Sequence, residues 1–256
     1  ALARLYDAAT HANGKKANKK ALQRLLGLQT DPGAPLFFWP ARMDPAHSGC
    51  QLMADTLYSL IDRYWERQLQ VIFVADGPFQ IHFKSIVEFH GFDGRVAVVG
   101  FDEEIARLAY GAADFVLAPS IFEPCGLIPM IGTLYGALPV AYDTGGIRDT
   151  LAPLEADRDC GNSFLFTVFD APGLTWAVDR AMDFFQRPDS LRARQVSRVM
   201  IESSRQFSHR KAARRYIALY EKMLQRPLLP QFEGQPRDQI PERTLAEVTL
   251  PSLSAA

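Results

Sequence analysis

Five short apolar runs recur along the chain at regular intervals, at residues 36–41, 71–75, 96–100, 115–119 and 138–142. Each is nearly continuous in apolar residues rather than alternating. A strand covered on both faces needs that pattern, whereas a half-exposed strand alternates. The segments between them have helical spacing. Residues 50–66 put Leu52, Leu57, Leu60, Ile61 and Tyr64 on one side, and residues 79–90, 103–111 and 126–136 follow as helices. The last two end in glycine, a usual helix stop. Strand–helix alternation with short links implies an α/β fold with a doubly wound parallel sheet. Ligands of such sheets sit at the carboxyl ends of the strands.

Later residues change character. Residues 173–186 (with Trp176, Val178, Ala181 and Phe184) and 190–204 read as helices. Ser208 is a candidate N-cap for another, striped by Ala212, Tyr216, Leu219, Tyr220 and Met223. Residues 226–256 carry Pro227, Pro230, Pro236, Pro241 and Pro251 and read as a wrapping or disordered tail. The organisation expected is an entry segment and helix (1–30), a Rossmann-like domain (31–170), helices packing on it (171–225) and the Pro-rich tail (226–256). There are no internal repeats.

Composition removes several function classes. Twenty-eight Lys and Arg against 29 Asp and Glu leave a net charge of -1, so no global field favours nucleic acid. Three cysteines (Cys50, Cys125 and Cys160) lack metal-ligand spacing and read as thiols of a reducing compartment. No apolar run of about 18 residues suggests a membrane span. The N-terminal segment has Lys15, Lys16, Lys19 and Lys20 and no apolar signal core, so a cytoplasmic protein is expected. The lysines could touch glucan or phosphate, but a solvated helix face is the favoured reading. Trp39 and Trp176 read as core residues, and His82, His90 and His209 as packing or surface residues.

The chemistry concentrates after two strands. Residues 115–119 run into Ser120-Ile121-Phe122-Glu123-Pro124-Cys125-Gly126-Leu127 and then a helix. A helix starting just beyond a strand end points unpaired N–H groups at that spot, where the helix dipole is positive, and so makes an anion site. Glu123 beside it would repel a diphosphate unless it serves a sugar. Read from spacing alone, the same residues also suit an ordinary strand–Pro–Gly–helix joint. Asp143-Thr144-Gly145-Gly146, after the next strand, offers close backbone approach or simply a tight turn. Because the two loops follow consecutive strands, they share one sheet edge and can share one ligand.

Three stretches together carry a resemblance. They are Pro119-Ser120-x-Phe122-Glu123-Pro124-Cys125-Gly126-Leu127, then Tyr135-Gly136-x-Leu138-Pro139-Val140, then Thr144-Gly145-Gly146-x-x-Asp149-Thr150. This pattern closely resembles the bacterial-type glycogen/starch synthases, retaining glycosyltransferases with two Rossmann-like domains facing a cleft (the GT-B fold). The likeness extends to Gly14-Lys15-x-x-Asn18-Lys19, to Gly100-Phe101-Asp102-Glu103, to Ala112-Ala113-Asp114 and to Phe207-Ser208, and covers about residues 6–225. It implies that this chain is the C-terminal, donor-binding half. The donor implied is ADP-glucose or UDP-glucose, the acceptor is an α-1,4-glucan held by the other half, and no cofactor or metal is needed.

Site residues follow from the resemblance position by position. Glu123 matches the essential glutamate that contacts the donor sugar. Gly126 and Leu127 match the amides on the distal phosphate, with Cys125 and Ile128 beside them. Phe101 stands where a Tyr usually stacks on the base. Thr144, Gly145 and Gly146 match a loop lining the donor cleft, and Arg42 matches a cation on the diphosphate. The chain departs from the pattern at His47, where a Lys is usual, and at Ile128-Pro129, where Thr-Gln is common. The family's Lys-x-Gly-Gly-Leu loop belongs to the other half and is not in this sequence. The part alone is therefore expected to be inactive. The alternative is a catalytically degenerate relative that binds nucleotide or glucan in a regulatory role.

Overall fold

The apolar runs become strands that are buried along almost their whole length. In the computed structural model, which describes residues 2–228, the order begins with α1 (His11–Leu25), β1 (Leu36–Trp39), α2 (Cys50–Arg63), β2 (Gln70–Val74), α3 (Gln80–His90) and β3 (Val96–Val99). It continues with α4 (Glu103–Ala112), β4 (Phe115–Ala118), α5 (Leu127–Leu134), β5 (Leu138–Tyr142) and α6 (Ile147–Thr150), and then β6 (Phe164–Phe166), α7 (Ala171–Phe185) and α8 (Asp189–Gln206). The six strands form one sheet in the order β3-β2-β1-β4-β5-β6, and every pairing is parallel. This is the doubly wound, Rossmann-like order, with its reversal between β1 and β4.

Successive strand residues serve opposite faces. Phe37 and Trp39 pack with Phe73 and Phe115 against Leu57, Leu60 and Ile61 of α2 and Leu174 and Val178 of α7. Leu36 and Phe38 pack with Ile72 and Val74 against Leu22 of α1 and Leu108, Ala109 and Tyr110 of α4. Two cores on one sheet explain why the runs are apolar throughout. Local signals agree. Asp102 caps α4 by accepting from the Ile105 N–H at 2.9 Å, and Asp170 caps α7 by accepting from Gly173 at 2.7 Å.

The described residues divide into two units, one ending at Ser208 and the other beginning at His209. The second contains α9 (His209–Leu224), directly after Ser208. Most of the Pro-rich tail, residues 229–256, lies outside the described residues. Among the described residues no helix is long and apolar enough to cross a membrane.

Three expectations are corrected. The lysines of α1 are not a solvated face: Lys15 and Lys19 are buried, while Lys16 and Lys20 are exposed. Lys19 Nζ sits 2.5 Å from Asp114 Oδ2 and donates to the Ala34 carbonyl at 2.8 Å. Lys15 Nζ donates to the carbonyls of Tyr135 at 2.9 Å and Tyr110 at 3.4 Å. Trp176, expected in the core, is 55% exposed because Leu174, Ala177, Val178 and Ala181 form the inward stripe of α7. Trp39 is fully buried, as expected. The sixth strand was not anticipated. At three residues it is too short to show a period.

Candidate donor site

Strand order places the site. At a reversal, the chain leaves the two central strands in opposite directions and opens a crevice beyond their carboxyl ends. The loops beyond β1 and β4 flank that crevice, and they touch. The Ile121 N–H donates to the His47 carbonyl at 2.9 Å. Gly49 has φ +74°, and a Cβ there would lie 2.1 Å from the Pro119 carbonyl oxygen. No side chain fits at this position.

The other loops join the same rim. Beyond β2, the Asp76 carbonyl accepts from Met43 N–H at 3.0 Å, while its carboxylate Oδ1 accepts from Phe101 N–H beyond β3, also at 3.0 Å. Beyond β5, Gly146 N–H donates to the Glu123 carbonyl at 2.8 Å. Arg148 closes the end, donating to Asp143 Oδ1 at 3.0 Å and to the Asp143 carbonyl at 2.9 Å. The rim therefore runs from Phe101 through Asp76, Met43, His47 and Glu123 to Thr144, Gly145 and Gly146. These residues are remote in sequence and adjacent only because the sheet is wound this way.

Glu123 is half-buried, and its Oε1 accepts a long 3.4 Å hydrogen bond from the Gly126 N–H. Behind it the first turn of α5 is open. Met130 N–H reaches the Gly126 carbonyl at 3.2 Å, and Pro129 has no N–H. The amides of Leu127 and Ile128 have no acceptor among the described residues. Two aligned donors at the positive end of a helix make an anion cradle. The Ile128 side chain packs against the core. Leu127 and Cys125 are exposed.

The cations are uneven. Arg42 is exposed, and its charge acts on the nearby Asp44 carboxyl. His47 is exposed too, but its Nδ1 is 3.1 Å from Asp44 Oδ2. The Ala46 backbone N–H, then His47 itself, hold the Asp44 carboxyl below its ordinary value. The Phe101 ring stands 62% exposed at the far end of the rim. Asp76, which anchors Phe101, was not singled out from sequence, although an Asp-Gly pair at a strand end is the signal for it. Among the described residues no cluster of His, Cys, Asp or Glu could hold a metal ion.

The doubly wound α/β domain thus sets a carboxylate beside the open first turn of a helix at the carboxyl ends of its strands. Residues 34–183 match the family model described as glycosyl transferases group 1, and the chain belongs to that family. The chain is 33% identical to the glycogen synthase of Geobacillus thermodenitrificans over 83% of this chain and 42% of that protein. It is 36% identical to that of Rhodospirillum rubrum over 87% of this chain and 44% of that protein. Its fold matches the catalytic domain of starch synthase IV from Arabidopsis thaliana, bound to ADP and acarbose. That match has a TM-score of 0.76 at 30% identity and covers 88% of this chain and 45% of that one. The chain thus spans less than half the length of these relatives. The fold, as expected, is that of one half of a GT-B glycosyltransferase.

Proposed function

We propose that this chain is the donor-binding half of a glycogen or starch synthase that moves glucose from a nucleotide sugar to the non-reducing end of an α-1,4-glucan, with retention. ADP-glucose is the donor favoured, since the solved relative at 30% identity is described as bound to ADP. One observation carries the reading: Glu123 is stitched through its carbonyl to Gly146 and through its carboxylate to Gly126 at the start of α5, which sets a carboxylate beside the open helix amides. The Leu127 and Ile128 amides and Arg42 take the diphosphate, whose charge grows as it leaves. Glu123 faces the sugar, and the Phe101 ring stacks on the base. No cofactor enters this scheme, and a cytoplasmic location goes with it. The acceptor is held by an N-terminal domain outside this chain, so these residues alone do not close a cleft and transfer no glucose.

Calorimetry with ADP, UDP and their glucose conjugates tests the assignment. One nucleotide should bind in a 1:1 complex and lose affinity in Arg42→Ala. If none binds, the donor site does not exist.

His47 supports a second reading. Tied to Asp44, it brings less cationic charge to the diphosphate than a Lys would. A catalytically degenerate, nucleotide-binding protein with a regulatory role is the result if that charge is indispensable. Glucose transfer by the full-length protein excludes it, whereas an inactive wild type that gains activity on His47→Lys establishes it.

A further inference from the structure

A second cavity, of about 510 Å³, opens at the other end of the sheet. It lies where β4 and β5 begin, beside Asp114, Phe115, Gly136 and Leu138, and is walled by α1, the end of α7 and the start of α8. The donor rim is at the carboxyl ends of the same strands. Four residues of β4 separate the two levels, about 13 Å. The two sites share no residue.

Its charges do not cancel. Lys15, Lys16, Lys19 and Arg192 line it, against Asp114 and Asp189. Asp114 is taken by Lys19 at 2.5 Å. Asp189 is shared between Arg192, in direct contact, and Lys16 at 4.0 Å. Lys15 donates to the carbonyls of Tyr135 and Tyr110 and lies 5.8 Å from the centre of the Tyr6 ring, and all three partners are neutral. Arg192 lies over the Phe185 ring at 4.6 Å, and its Nε is buried with no acceptor. Basic side chains thus outnumber carboxylates four to two around the cavity, and its net charge is positive. Burial pushes the Lys15 ammonium down to about 7, with Lys19 adding to the fall and Asp114 opposing it. A buried cation short of a counter-ion is relieved by an incoming anion.

The remaining walls are apolar, from Phe115, Leu138, Phe184, Phe185 and Val196. We propose that this cavity binds a small phosphate monoester, its dianion between Lys15, Lys16 and Arg192 and its organic part against the phenylalanines. The phosphate brings the negative charge that the cavity's basic lining lacks. A neutral ligand would leave that excess unanswered.

The site is independent of the donor assignment, and the test separates them. Phenyl phosphate is the probe, titrated calorimetrically into the wild-type chain and into Arg192→Gln, Lys16→Gln and Arg42→Ala. Binding at 1:1 is expected, weakened about tenfold or more by Arg192→Gln, weakened less by Lys16→Gln and unchanged by Arg42→Ala. Lys16 is exposed, so its replacement keeps the fold intact even if Arg192→Gln does not. Benzyl alcohol should not bind. Failure of phenyl phosphate to bind overturns the proposal. So does binding that is lost in Arg42→Ala and kept in both cavity variants, or binding of benzyl alcohol with equal strength.

Discussion

The backbone N–H of Gly146 donates to the carbonyl of Glu123 at 2.8 Å, locking the loop after β5 to the residue proposed to face the donor sugar. The neighbouring Gly145 makes that approach possible. It has φ +46°, and a Cβ there would stand 2.3 Å from the same Glu123 oxygen. Gly145→Ala should therefore push Glu123 off its perch. We expect nucleotide-sugar affinity to fall about tenfold, with stability lowered by about 1–3 kcal/mol from backbone strain. Calorimetry and urea denaturation on the same variant read the two effects.

Glu123 itself separates binding from chemistry. In the full-length protein Glu123→Gln should lower kcat by about 100-fold or more, the scale of losing one transition-state contact. The Kd for ADP, which lacks the sugar, should change by less than about threefold. A large loss of ADP affinity would move Glu123 from the sugar to the phosphates.

The pair Lys19–Asp114 is structural. Asp114 also accepts from the Leu36 N–H at 2.8 Å, tying α1 to the start of β1 and β4. Asp114→Asn leaves the Lys19 ammonium buried without its counter-charge, a change that costs about 3–5 kcal/mol. Urea midpoints report it, and Lys19→Met combined with Asp114→Asn should recover part of the loss.

Lys15 predicts a pH dependence. Its folded-state value of about 7 lies below the ordinary lysine value of 10.5, so between these limits the unfolded chain binds more protons than the folded one. Stability then rises with pH across that window, and the full penalty is present below it. From pH 7 to pH 9 the gain from this one group is about 2 kcal/mol. Lys15→Met should flatten the rise. Above pH 10 the buried phenols of Tyr6 and Tyr110, both pushed up by burial, reverse the slope, so the comparison belongs below that.

Sequence made the sheet legible because a strand buried on both faces must be apolar at every position, and residues such as Leu36 to Trp39 have no polar member. The donor loops were legible because their glycines and Glu123 follow strand ends. The joining of those loops was not. Nothing local to Met43, Asp76 or Gly49 says which distant carbonyl they will meet, since the strand order decides it. Lys15 and Lys19 misled for a related reason. Lysines are almost always at the surface, and their carbonyl and carboxylate partners lie 95 or more residues away in all but one case, Ala34. Trp176 misled because its size, not its place on the helical stripe, was read.

The stitched rim has a consequence for how the molecule opens. Hydrogen bonds link the loops after β1, β2, β3, β4 and β5 in series, so no single wall of the crevice can peel away while its neighbours stay put. On the proposed function, a nucleotide seated there would steady all of these loops together. Its binding should slow amide exchange in β1 and β4 together, and the site would serve as a gauge of the integrity of the whole sheet.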